Sequence, residues 1–321
     1  MTIMKLRLGV RGMMWLTLVI MMWGIISCRT QEEKRLEEVL SLPLANKEEL
    51  QKVLDHYKDD SLKYQAVCFL IRNMPFHAGY EGNALKHYYQ YFDIYAQGKL
   101  GPHEVIDSLK ENSFSVSQLK RIEDIANIDS SLLVQNVDWA FKVWREQPWG
   151  KNVSFDNFCE FVLPYRLGDE PLGFWREDIY KRYNPILDSI RLLPQAQDPL
   201  VAAKVLMDSL VVEQSHFTGL FPAGPHLGPS VVSWRAGSCR EFADLVVYVM
   251  RALGIPCGTD YMAMRGDNNV PHFWNFTLDK DGKTYITEFP DPNWKRAVSM
   301  YNPTAKVYRN TYGLNWKDVK R

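Results

Sequence analysis

The sequence lacks an excess of charge of either sign: 38 Lys and Arg stand against 38 Asp and Glu. It also has no basic run, which argues against a nucleic-acid partner held by phosphate neutralisation. Five cysteines in 321 residues are too few for a disulfide scaffold. There is no CxxC pair and no histidine cluster, so zinc-ligand spacing is missing. A phosphate loop, a calcium loop and a dinucleotide fingerprint are missing too, and no metal or cofactor is implied. No internal repeat or low-complexity stretch is found. What is present is a hydrophobic share of 46% with 24% charged residues, the balance of a folded chain. The length leaves room for one large domain or two small ones, each with a real core.

The one long apolar run is at the amino terminus. Lys5, Arg7 and Arg11 precede it without an acid, and residues 13–27 carry no charge. That run is short of the roughly 20 residues of a membrane span. Ile25, Ile26, Ser27 and Cys28 close it. The order of charge, apolar run, small residue and cysteine resembles a bacterial lipoprotein signal. The alternative is an uncleaved anchor helix. The resemblance implies removal of residues 1–27 and a lipid on Cys28. Glu32 and Glu33 follow closely, and this acidic cluster resembles the surface-export signal of some Gram-negative lipoproteins; a solvated tether reads equally well. Either way the folded part is expected outside the cytoplasm, lipid-anchored to the outer membrane and either periplasmic or surface-exposed. Without residues 1–27 the chain has 35 basic and 38 acidic side chains, so the charge balance belongs to the precursor.

From residue 28 to about 195 the pattern is helical. Asn46 with Glu49 three residues on resembles a capping box. Leu62, Ala66, Phe69 and Leu70 form an apolar stripe, and Leu133, Val137, Ala140, Phe141 and Trp144 repeat the same spacing. Ser154 is placed to cap a helix over residues 155–163 that Pro164 stops. Two aromatic clusters, Tyr88 to Tyr95 and Trp139 to Trp149, read as core before groove lining. Arg166 and Glu170 read as a buried ion pair.

The character changes over residues 196–300. A helix over 199–212 leads to a loop rich in glycine and proline, then to Gly237-Ser238-Cys239 and a helix over 240–253. Strand-like runs follow over 257–264, 272–278 and 283–289, with Asp281-Gly282 as a hairpin turn. A helix followed by antiparallel strands is an α+β order. Residues 301–321 read as a carboxyl-terminal extension, possibly the opening of a further domain.

Cys239 stands where a nucleophilic thiol belongs. Two small residues precede it, and the positive end of a helix favours a thiolate and supplies N–H groups for an oxyanion. His272 is the histidine available to move a proton, and Glu288 or Asp291 on the next strand can orient it. A strict two-residue turn pairs Lys280 with Lys283, puts Asp291 opposite His272 and turns Glu288 away; a one-residue change in loop length reverses this. Asp291 is favoured and Glu288 kept. Gln214 and Trp234 are candidate oxyanion donors by nearness alone. Cys239 also has a structural reading, as a buried apolar residue or half of a disulfide with Cys257 or Cys159.

Gly237-x-Cys239-x-x-x-Ala243, then Met250-Arg-Ala-Leu-Gly-Ile-Pro256, then His272-x-Trp274-Asn275 resembles the transglutaminase-like superfamily. Asn73-Met-Pro75, residues 155–165 and Trp175-Arg176 resemble the helical leader of secreted members. The resemblance implies a papain-like core, a Cys-His-Asp triad, and a cysteine helix packed on an antiparallel sheet. It implies attack on peptide or glutamine-type amide bonds through a thioester, with peptide, protein or glycopeptide substrates, as a hydrolase before a cross-linker. The alternative is a degenerate surface lipoprotein that binds peptide or glycan.

Overall fold

A computed structural model describes residues 30–266, 269–296 and 306–314. Residues 1–27, expected to be a signal segment, and Cys28 lie outside the described residues. The helices of seven residues or more are α1 (Gln31–Leu40), α2 (Lys47–His56), α3 (Ser61–Asn73), α4 (Ala84–Ala96), α5 (Pro102–Ser108), α6 (Ser130–Glu146), α7 (Phe155–Phe161), α8 (Arg176–Tyr183), α9 (Pro199–Val212) and α10 (Cys239–Ala252). Short polar side chains start many of them by accepting a free first-turn N–H. Asp60 accepts from Lys63 (3.1 Å), Asp129 from Leu132 (2.8 Å) and Ser154 from Asn157 (3.3 Å). At α9 Asp198 accepts from Leu200 at 3.0 Å, and Pro199 occupies the first helical position, where its missing N–H is no loss.

Two local expectations are corrected. Asn46 makes no side-chain cap; Glu49 instead reaches across to accept from the Ser130 N–H (2.8 Å) and hydroxyl (2.6 Å). Arg166 pairs with Asp124 at 2.9 Å, both side chains buried. Glu170 is held by the Leu167 N–H (2.7 Å), the Gly168 N–H (2.8 Å) and the Tyr248 hydroxyl (2.8 Å).

The strands are β1 (Ala78–Glu81), β2 (Lys120–Glu123), β3 (His216–Phe217), β4 (Ala236–Gly237), β5 (Cys257–Met262), β6 (His272–Leu278), β7 (Thr284–Thr287), β8 (Lys295–Arg296) and β9 (Val307–Arg309). β1 pairs with β2 and β3 with β4; the other five form an antiparallel sheet in the order β8-β7-β6-β5-β9. The mixture of helix and antiparallel sheet is α+β.

The expected division at residue 195 does not coincide with a break in packing. One buried cluster joins Tyr88, Trp149 and Trp175 from the helical half to Val246, Met250 and Phe289 beyond it. Arg176 stitches across the same line: buried, it donates to Asn136 (2.6 Å) and to the carbonyls of Val162, Leu163, Pro164 and Arg251. Val307–Arg309, expected in a separate extension, is the edge strand on β5. Just after it Tyr312 is buried in the helical core, where its hydroxyl donates to the Leu70 carbonyl at 3.1 Å.

Candidate active site

The site is assembled where α10 begins. Gly237 has φ +137°, and a Cβ there would stand 2.6 Å from the side chain of Glu241, so the bend requires glycine. Ser238 is the N-cap: its hydroxyl accepts from the Arg240 N–H, while Glu241 accepts from the Ser238 N–H (2.8 Å) and hydroxyl (2.7 Å). Burial works against the charge on Glu241, but Arg240 and the two Ser238 donors outweigh it and hold the carboxyl below its usual range. Cys239 is then the first helical residue, half-buried, with a backbone N–H that helix geometry leaves without an intrahelical carbonyl.

β6 brings His272 to this end of the helix. Asn275, fully buried, donates from Nδ2 to the Ala243 carbonyl of α10 at 2.9 Å and fixes strand against helix. The His272 imidazole lies beside the Cys239 thiol, close enough for the two to interact, and places Nε2 2.9 Å from Glu288 Oε1. These two contacts, the thiol first, push the His272 pKa up to about 9 against the effect of burial.

The acid beside His272 is therefore Glu288, and the preference for Asp291 is corrected. The physical reason is the turn. Leu278 pairs with Thr284, and the Asp279 N–H bonds the Lys283 carbonyl at 3.0 Å, so Lys280, Asp281 and Gly282 form a three-residue loop. Asp279 accepts from the N–H groups of Asp281 (2.9 Å) and Lys283 (2.8 Å), and Gly282 takes φ +73°. One residue more in the loop than a strict turn changes the parity, so Glu288 follows Thr287 on the face shared with Trp274 and His272. Asp291 instead accepts from Asn293 at 2.8 and 2.9 Å and pairs with Lys295 at 3.1 Å.

Neither proposed side-chain oxyanion donor is confirmed in place. The Trp234 indole N–H donates to Asp93 at 3.3 Å, and its ring stacks on Phe92. Gln214 is exposed, with its amide beside Gly98. The donor the helix itself offers is the Cys239 N–H. The cysteines Cys68, Cys159, Cys239 and Cys257 are all free, so the disulfide reading of Cys239 is not realised. Burial pushes the Cys68 thiol up to about 11 and that of Cys257 up to about 12, and raises Cys159 as well.

Cys239 opens onto a groove of about 360 Å³. Pro271 and Phe273 line one side, Phe221 and Pro222 another, and Tyr88 and Phe92 of α4 contribute from the helical half. The first aromatic cluster is thus both core and groove lining. Arg240 locks this wall by donating to the Gly224 carbonyl (2.9 Å) and the Tyr88 hydroxyl (3.3 Å).

Two features had no signal in the sequence. Arg265, from the turn after β5, places Nη2 3.0 Å from His272 Nδ1. His226 pairs through Nδ1 with buried Asp244 of α10 at 2.7 Å, a contact set by the fold of a glycine-rich loop. Comparison with known proteins finds no match among family models, curated proteins or solved structures.

Proposed function

We propose that the protein is a cysteine-dependent hydrolase of amide bonds, built on a papain-like arrangement as the transglutaminase-like resemblance implies. The observation that carries this reading is the contact of His272 with Cys239 on one side and Glu288 on the other. Cys239 as thiolate attacks the carbonyl carbon, a C–S bond forms, and the Cys239 N–H donates to the oxyanion. The C–N bond then breaks as the imidazolium of His272 gives its proton to the departing nitrogen. Water next gives a proton to His272 and adds to the thioester; the C–S bond breaks, the acid leaves and the thiolate returns. Glu288 orients the imidazole and favours its charged form. The apolar and aromatic groove favours peptide or glycopeptide chains over small polar amides. A lipid on Cys28 places this activity in the cell envelope of a Gram-negative bacterium, anchored at the outer membrane.

A panel of peptide, glutamine-containing and glycopeptide substrates, run against the native protein and Cys239→Ala, tests the reading. Turnover lost in Cys239→Ala supports it. Specific binding of a panel member, with no turnover in either protein, favours the second reading of a surface binding protein, whose sequence basis is the aromatic clusters.

A further inference from the structure

We infer that Arg265 is a specificity residue that takes a carboxylate on the leaving-group side of the scissile bond. This deepens the hydrolase reading and rests on it. Arg265 Nη2 lies 3.0 Å from His272 Nδ1, while Nε2 of the same ring is committed to Glu288 at 2.9 Å. Nδ1 is therefore the nitrogen left to serve the thiol and the departing amine. Among the described residues no carboxylate pairs with Arg265, and its Nε is buried without a hydrogen-bond partner. A guanidinium in that situation has donors to spare and a geometry suited to a bidentate carboxylate.

The position selects which carboxylate. A nitrogen about to be protonated by Nδ1 sits within hydrogen-bond reach of it, roughly 3 Å. A carboxylate two or three bonds beyond that nitrogen falls within reach of a guanidinium that contacts the same ring atom. Two sources share this chemistry: the free carboxyl terminus of a peptide whose last residue departs, and an acidic side chain on the departing residue.

The test uses the full chain and two probes of similar size and unlike charge, iodoacetate and iodoacetamide, with the alkylation rate of Cys239 read by mass spectrometry. The expected ratio of iodoacetate to iodoacetamide rates falls at least fivefold in Arg265→Gln and is largely kept in Arg265→Lys. An unchanged ratio in Arg265→Gln overturns the inference, and this readout needs no turnover. For any peptide cut in a Cys239-dependent way, three forms are then compared: free acid, carboxyl-terminal amide, and amide with Asp as the departing residue. Preference for the first or the third, diminished in Arg265→Gln, supports Arg265 and identifies the source. Turnover indifferent to all three forms overturns the inference and leaves the hydrolase reading intact. A thiol that retains the charge-dependent ratio while no substrate in the panel is turned over counts against the hydrolase reading alone.

Discussion

At Cys239 the environment differs in kind from that of the other described thiols. Cys68, Cys159 and Cys257 are buried and their thiols are pushed up by desolvation, whereas Cys239 is half-buried beside a histidine. Iodoacetamide at neutral pH is therefore expected to modify Cys239 first, with the other three reacting at least tenfold more slowly in the native protein. Glu288 and Asp291 make a second comparison. His272 titrates at about 9 with Glu288 as one of the causes, so the proton for the leaving group is present below that pH and lost as pH rises through it. Activity should fall on a basic limb near that value. Glu288→Gln should move the limb to lower pH, and Asp291→Asn should leave it in place; a pH–rate profile of the three proteins decides. The identities of Cys239 and His272 were legible because each is marked by its neighbours in the chain. The choice between Glu288 and Asp291 was not, because it turned on whether Asp279 draws one more residue into the hairpin loop.

The first turn of α10 is the element on which the site depends. Gly237→Ala forces a Cβ into Glu241 and a non-glycine residue to φ +137°. A loss of about 1–3 kcal/mol is expected from the backbone strain alone, with displacement of Cys239. Urea unfolding midpoints and the Cys239 alkylation rate should fall together. Asn275 is the matching anchor from the sheet. Asn275→Leu leaves the Ala243 carbonyl without its side-chain donor and is expected to lower stability by about 1–3 kcal/mol; a variant as stable as the parent would show the anchor to be dispensable. Elements with a local mark were readable in advance: α7 after Ser154, α9 from Pro199, and β6 as a strand-like run before the Asp281-Gly282 turn. Asn46 misled because Glu49 has a stronger use across the chain, at Ser130, than within its own helix.

Over the whole molecule the helical half and the sheet are one packed body, and pH acts on both. His226, whose half-buried imidazole pairs with the buried Asp244, has its pKa raised to about 9: desolvation opposes the charge and the Asp244 carboxylate outweighs it. A histidine raised above its ordinary value of 6.5 gives stability fully present below that value and lost as pH rises through about 9. The thermal midpoint should therefore drop between pH 7 and about pH 9.5, with His272, raised to about 9 as well, contributing alongside His226, and Asp244→Asn should remove the His226 share of that slope. A slope unchanged in Asp244→Asn would assign it elsewhere. This pairing joins residues 18 apart in sequence, and the stitching by Arg176 and Tyr312 spans far longer separations. Such contacts leave no periodic trace, which explains why the chain reads as two regions and packs as one. The terminal strand β9 was hidden for the same reason: three exposed residues have no apolar pattern until β5 supplies the partner.

The most direct measurement is acyl transfer to the thiol itself. The native protein, Cys239→Ala and His272→Ala are mixed with p-nitrophenyl acetate, p-nitrophenol release is followed, and the acetyl group is mapped by mass spectrometry. The expected result is a burst with acetyl on Cys239 that then hydrolyses, no burst in Cys239→Ala, and a burst at least tenfold slower in His272→Ala. Acetyl spread equally over Cys239 and Cys68, or a burst indifferent to His272, would contradict a catalytic role for the Cys239–His272–Glu288 constellation.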